Sequence, residues 1–355
     1  MHLVKQILIF FLLIINSGLF AQDSTKSNQI LINSSYALGI QSIHSQQQSL
    51  SYKFFNPQKK DYMNTVSEPI PANEDRLLSD GTIWRKNSDI DYFRLSSMLG
   101  LMAVVNTVAY TYQRKVWYTE KTTVFHSLSF SYDWDKYQQM DKFGHFSDAY
   151  FTSDLSAKIY RWSGISGEKS VWYGALTGWL WMLEIEVSDA FMAEWGFSWG
   201  DMAANTAGSL FFVLQQFNYD ALGGIHPKFS WHKSEAWNKN LYTRDPKALI
   251  EDYEGMTFWL TVNPCHYFPD SWKQNYSEWL APLGIAFGVS AKDISWDPFG
   301  GYKIYSIGLD IDLTKIPIWK NSNVTKFIMS ELNFLRLPLP TIRFTPQGTW
   351  VGFYF

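Results

Sequence analysis

"IEVSDAFMAEWGFSWGDMAANTAG", residues 185–208, decides how the middle of this chain is built. It follows an uncharged, Trp-rich run over residues 171–183 and brings in Glu186 and Asp189, with Glu184 just ahead of it. Glu186 and Asp189 are three apart, the spacing that puts two side chains on one helix face. Glu184 points elsewhere, roughly 200° around the helix from Glu186. A second helix starts near Ser198 and carries Asp201 and Asn205, four apart on one face. Ser198 and Asp201 also fit a capping box, with Ser198 as cap and Asp201 reaching back. A structural role for Asp201 therefore stands beside a functional one.

A carboxylate at the centre of a membrane-spanning helix costs roughly 2.5–3.5 kcal/mol. Three acids would erase the gain from the Trp/Leu run before them. They are expected near a helix end, or facing partners inside a bundle, because buried charge needs pairing. The upstream segment "MDKFGHFSDAY" offers partners. Asp141 and His145 are four apart on one face, with Lys142 beside them and Asp148 three further on. Asp141 also reads as an N-cap. The expected cluster is Asp141, Lys142, His145, Glu186, Asp189, Ser198, Asp201 and Asn205.

Working outward, helices are predicted over 141–161, 170–192 and 202–217, with "SGISGEK" as the first turn. Ala203, Ala204, Ala207 and Gly208 are small enough to let helices approach closely. Residues 95–113 lack charge and lie between Arg94 and Arg114. Their length allows a membrane span, while Asn106 and several hydroxyls fit a buried or interface-lying helix. After residue 225 come short alternating runs, "TFWLTV", "LGIAFGVSA", "KIYSIGLDIDL" and "TIRFTPQGTWVGFYF", which read as strands. "FIMSELNFLRL" interrupts them as a helix. The fold class is α+β, an aromatic-rich helical bundle followed by an antiparallel β region. The expected segments are a signal peptide over 1–21, a polar stretch over 22–90 that includes a strand at "NQILINSSYALGI", a helical domain over 91–222, a connector over 223–254 and a β-rich region over 255–355. Val351, Phe353 and Phe355 share one strand face. Many outer-membrane barrels end on such a strand, but too few strands are visible for a barrel of eight.

The start, "MHLVKQILIFFLLIINSGLFAQ", has Lys5, a short apolar run and Ala21, the pattern of a cleaved secretory signal; a permanent anchor is the other reading. Cys265 is the sole cysteine, so there is no internal disulfide and no lipid-bearing cysteine near the cut. The net charge of −3 carries no nucleic-acid footprint. Aromatic residues make up 18%, with 17 Trp, a content suited to boundaries between dry and wet surroundings.

"DKFGHF", "IEVSD" and "GFSWGDMAANTAG", in that order over about residues 138–218, resemble the YfiM-like family of predicted periplasmic lipoproteins, a domain of unknown function. The shared boxes fall on Asp141, Lys142, His145 and Phe146, on Glu186 and Asp189, and on Ser198, Trp199, Asp201, Ala207 and Gly208. Ile185 stands where that family has Lys, and the lipoprotein cysteine is absent. A looser similarity in layout is to VanZ-like membrane proteins. The resemblance implies an envelope location, periplasm or outer membrane, and no reaction.

Three functional readings follow. The cluster is a buried network locking three helices in a membrane-associated scaffold or binding module, with no cofactor required. Alternatively it holds a divalent metal, or supplies acid and base, in a membrane-proximal hydrolase or transferase acting on a lipid or lipid-linked substrate; there His145 is the proton shuttle or ligand and Glu186 the base. Or the chain is an accessory docked to an outer-membrane protein. Membrane lipid or an outer-membrane protein is the expected partner. No nucleophile elbow, phosphate loop or paired metal signature is present.

Overall fold

The computed structural model describes residues 75–116, 118, 121–242, 249–319 and 322–354. The expected signal peptide, the strand expected at "NQILINSSYALGI" and Phe355 lie outside them. A small hairpin, β1 (Arg76–Leu77) and β2 (Ile83–Trp84), precedes α1 (Tyr92–Val116). Then come α2 (Phe130–Asp135), α3 (Met140–Trp162), α4 (Gly167–Asp189) and α5 (Trp199–Phe217). A six-stranded antiparallel sheet follows, in the order β3 (Ile225–Trp231), β4 (Met256–Val262), β5 (Leu283–Lys292), β6 (Tyr302–Ile311), β7 (Leu339–Thr345), β8 (Gly348–Tyr354). The helix read at "FIMSELNFLRL" is α6 (Asn323–Leu332). Helices followed by an antiparallel sheet are the α+β order expected.

The first strand lies inside the stretch read as a connector. Pro227 and Lys228 hid it: proline lacks the N–H that a strand interior needs, and lysine rarely faces inward. Here β3 is an edge strand paired along its length with β4 and, among the described residues, bridged on its other side at Phe229, which leaves Pro227 tolerable, and Lys228 is fully buried on Asp310 at 2.8 Å. Nor is α1 a core helix. Only 6% of its apolar window is buried, and among the described residues it is the one helix long and apolar enough to cross a membrane. It meets α4 where Asn106 Nδ2 donates to Glu184 Oε2 at 2.8 Å. That bond gives Glu184 the separate direction its spacing implied.

Small residues set the spacing of α3, α4 and α5. A Cβ on Gly174 would sit 2.6 Å from Ala157 Cβ, one on Gly178 2.7 Å from Ser153 N, and one on Gly208 2.2 Å from Phe146 O. Gly174 and Gly178 are four apart, so one ridge of α4 lies directly on the α3 backbone. Trp84, Tyr150, Val171, Ala175 and Phe212 fill the space between these helices. Gly178→Ala should therefore lower unfolding free energy by about 1–3 kcal/mol, because the backbone contact must open. Gly100→Ala in α1, where a Cβ meets nothing within 4 Å, should be neutral or slightly stabilising. Denaturant titrations of both variants would test this; equal effects would refute the close-approach argument.

An elbow joins α2 to α3. Tyr137, Gln138 and Gln139 all have left-handed φ values of 51°, 52° and 59°, unusual for residues with side chains. The β5–β6 loop holds them there. Tyr137 N–H donates to Pro298 O at 2.6 Å and Gln138 Nε2 to Gly300 O at 3.0 Å. Met140, the first residue of α3, packs with Met256, Phe258 and Ile294 of the sheet region. The start of α3 is thus fixed by the sheet, and that start carries the first half of the cluster.

Candidate functional site

The cluster forms where three helix ends meet: the N-terminus of α3, the C-terminus of α4 and the N-terminus of α5. Ser198 is the cap of α5, accepting from Asp201 N–H at 2.9 Å. The reciprocal half of the capping box is replaced. Ser198 N–H donates across the turn to Glu186 Oε2 at 3.0 Å, which leaves the Asp201 carboxylate free to turn inward. Asp141 is not the cap of α3, a position held by Gln139. It sits inside the first turn, where Tyr253 OH donates to its Oδ1 at 2.8 Å.

Lys142 Nζ lies 2.6 Å from Asp133 Oδ1, 3.0 Å from Asp201 Oδ1 and 3.6 Å from Asp141 Oδ2, all but excluded from water. Its charge joins α2, α3 and α5. Ser198 Oγ donates to the other Asp133 oxygen at 2.7 Å. Gly200 lies beneath this pair; a Cβ there would be 2.6 Å from Asp133 Oδ2.

His145 Nδ1 is 3.0 Å from Asn205 Oδ1. A carbonyl oxygen only accepts, so Nδ1 carries the proton and Nε2 faces the acids. Nε2 is 3.6 Å from Glu186 Oε1 and 3.8 Å from Asp141 Oδ1. Asp189 is set apart from this group and faces the Tyr118 hydroxyl. Seven of the eight expected residues therefore interlock, and Asp189 flanks them.

Burial dominates the electrostatics. It pushes Glu186 up to about 8 and Asp189 up to about 7. Burial and the neighbouring Asp141 push Asp201 up to about 6. For His145 burial acts downward, but Asp201, Asp141, Glu186 and Asp148 outweigh it and raise the imidazole to about 9. Burial also opposes ionisation of Asp141, and His145, Lys142 and the Tyr253 hydroxyl overcome it, holding this carboxyl below its ordinary value. One ligand atom each from Asp141, His145 and Asp201 lies within 4.8 Å of the others, a spacing that a small shift would bring to a divalent cation.

Two members escaped the sequence reading. Tyr253 is 112 residues from the acid it caps, and nothing local marks it. Asp133 lies in "SYDWDKY", nine residues before Lys142, where Asp135 and Lys136 disguise it as part of a solvated run. Gly200 was a usable signal, since a glycine beside a cap marks close packing.

Residues 130–217 match a family described as predicted periplasmic lipoprotein (DUF2279). The match runs from the start of α2 to the end of α5 and so contains every cluster member except Tyr253. No curated protein and no solved structure matches the chain. The family description supports an exported protein of the cell envelope.

Proposed function

We propose that the chain is a membrane-associated scaffold or binding module of the cell envelope, and that its Asp/His/Glu/Asp network is the lock holding α3, α4 and α5 in register. The observation that carries this reading is where the polar contacts end. Lys142 reaches α2 and α5, His145 reaches α5 and α4, the Ser198 N–H reaches α4, and Tyr253 reaches α3. Nearly every contact joins different elements, as a register device requires. Lys142 lies among three of the acids, so part of their charge is already compensated within the protein.

A second reading draws on the spacing of Asp141, His145 and Asp201. Those three would hold a divalent cation, which would polarise a lipid-linked ester or phosphate beside Glu186 as base. Metal analysis of the purified chain, wild type beside His145→Ala/Glu186→Gln, separates the two. The lock predicts no stoichiometric metal in either protein and a clearly lower melting temperature in the variant. Stoichiometric metal in the wild type, lost from a variant that melts normally, would overturn the lock and favour the hydrolase or transferase.

A further inference from the structure

One face of the six-stranded sheet gathers buried polar side chains beside Trp259, Ala286, Ile304 and Tyr354, and the other is apolar, covered by Met140 of α3 at Met256 and Phe258 and exposed farther along. Inward positions carry Lys228, Ser230, Thr257, Ser290, Ser306 and Asp310, all buried. Lys228 Nζ contacts Asp310 at 2.8 Å and Asn333 Oδ1 at 2.9 Å, and the Arg336 guanidinium lies 3.9 Å from the Trp259 ring centre. Outward positions align across the register. Leu260 pairs Phe287, Phe287 pairs Ile307, Ile307 pairs Ile342 and Ile342 pairs Val351, an apolar row over five strands, each residue at least 40% exposed. Ile285 and Leu309 form a second exposed row, and Tyr305 with Phe344 a third. A sheet facing water reverses this arrangement. In contact with hydrocarbon it is required, since charge must face inward.

The ends of the strands fit the same environment. Trp272 and Trp279, exposed, precede β5 at one end. At the other end are exposed Trp296 and Phe299 in the β5–β6 loop. Lys292 and Lys303 close β5 and open β6 at that end, while Lys273 and Lys315 lie near the first. Aromatic residues at both rims and lysines beside them match lipid headgroups, which are anionic in many envelopes. At about 3.3 Å per residue and a tilt near 40°, a ten-residue strand such as β5 or β6 rises about 25 Å, the height of the apolar band on outer-membrane sheets.

We infer that the outer face of β5, β6 and β7 is seated against lipid acyl chains. The seat gives the membrane-associated envelope reading a definite surface and rests on it, but it does not depend on the helix lock. The sheet edges suit it in part. The outer edge of β3 is engaged where Phe229 N–H donates to Phe334 O at 2.8 Å and Arg336 N–H to Phe229 O at 2.9 Å. Arg336 also takes the Tyr354 carbonyl at 2.6 Å, drawing the end of β8 inward. Among the described residues the rest of β8 is an open edge, which hydrocarbon excludes, so the seat ends at β7 and β8 lies toward the headgroups.

The test places an environment-sensitive fluorophore at Ile307→Cys or Ile342→Cys, facing outward, and at Ser306→Cys, facing inward, in a full-length Cys265→Ser background. Each protein is reconstituted in phosphatidylethanolamine/phosphatidylglycerol vesicles with and without brominated acyl chains. Bromine should quench the two outward labels several-fold more than the inward one. Equal quenching at all three positions, or none at the outward ones in protein retaining its near-UV circular dichroism, overturns the proposal. So does thiol cross-linking of two unlabelled copies of the Ile307→Cys variant to each other, which would make the face a dimer surface. None of these outcomes bears on the lock, whose failure is read from metal content and melting.

Discussion

Replacing Lys142 by Met should lower the unfolding free energy by about 3–5 kcal/mol, the cost of removing one partner from a buried ion pair. The ammonium is the shared counter-charge of Asp133, Asp201 and Asp141. Without it, three carboxylates lose their common counter-charge, two of them, Asp133 and Asp201, nearly closed to water. Met keeps the aliphatic stem, so the loss reports charge rather than volume. Asp133→Asn beside Lys142→Met should restore part of the stability, because the uncompensated acid goes with the lysine. Chemical denaturation of the wild type, both single variants and the pair closes this cycle. A Lys142→Met effect below about 1 kcal/mol would mean that the acids are stabilised by something other than this amine, and a bound cation would be the first replacement to seek.

That cycle tests a residue the sequence made visible and one that it did not. Lys142 and His145 could be placed because helix periodicity is local: spacings of three and four put side chains on one face whatever surrounds the helix. The pairing of Glu186 with the α3 face, and the separate course of Glu184, followed from the same rule. Asp133 and Tyr253 could not be placed, because their roles depend on an elbow of three left-handed residues and on a loop more than 100 residues downstream. Periodicity carries no information about either. The strands show the same division. Alternation in β5 and β6 was plain, yet which face is buried is a tertiary property. In β3 the buried face carries Lys228 and the strand contains Pro227, so ordinary expectations about inward residues pointed away from a strand. The missed strand has that cause: it was expected to keep charge outside, and Lys228 lies inside.

Stability should fall as pH rises from about 6 to 9, by about 3 kcal/mol, and His145→Gln should remove at least half of that slope. The sign follows from the direction of each shift. The His145 imidazole is raised to about 9, above the value near 6.5 of an unfolded chain, because Asp201, Asp141, Glu186 and Asp148 outweigh burial. The stability it contributes is fully present below pH 6.5 and is lost as pH climbs through 9. Glu186, pushed up by burial to about 8, acts in the same direction, since the folded state holds a proton that the unfolded state releases near pH 4.5. The figure of about 3 kcal/mol is the His145 shift alone, at about 1.4 kcal/mol per pKa unit, and the Glu186 shift, set by burial, steepens the decline. Asp189 and Asp201, also raised, begin the decline at lower pH. Asp141 is held below its ordinary value and acts oppositely, contributing stability above about pH 4 that is lost on further acidification. The expected profile therefore peaks near pH 4 and slopes downward on the alkaline side, unlike a protein whose carboxylates are mostly depressed. Unfolding titrations at pH 5, 6, 7.5 and 9 would show it. A flat or rising profile between pH 6 and 9 would mean that His145 is neutral in the folded protein and that Glu186 has found another partner for its charge.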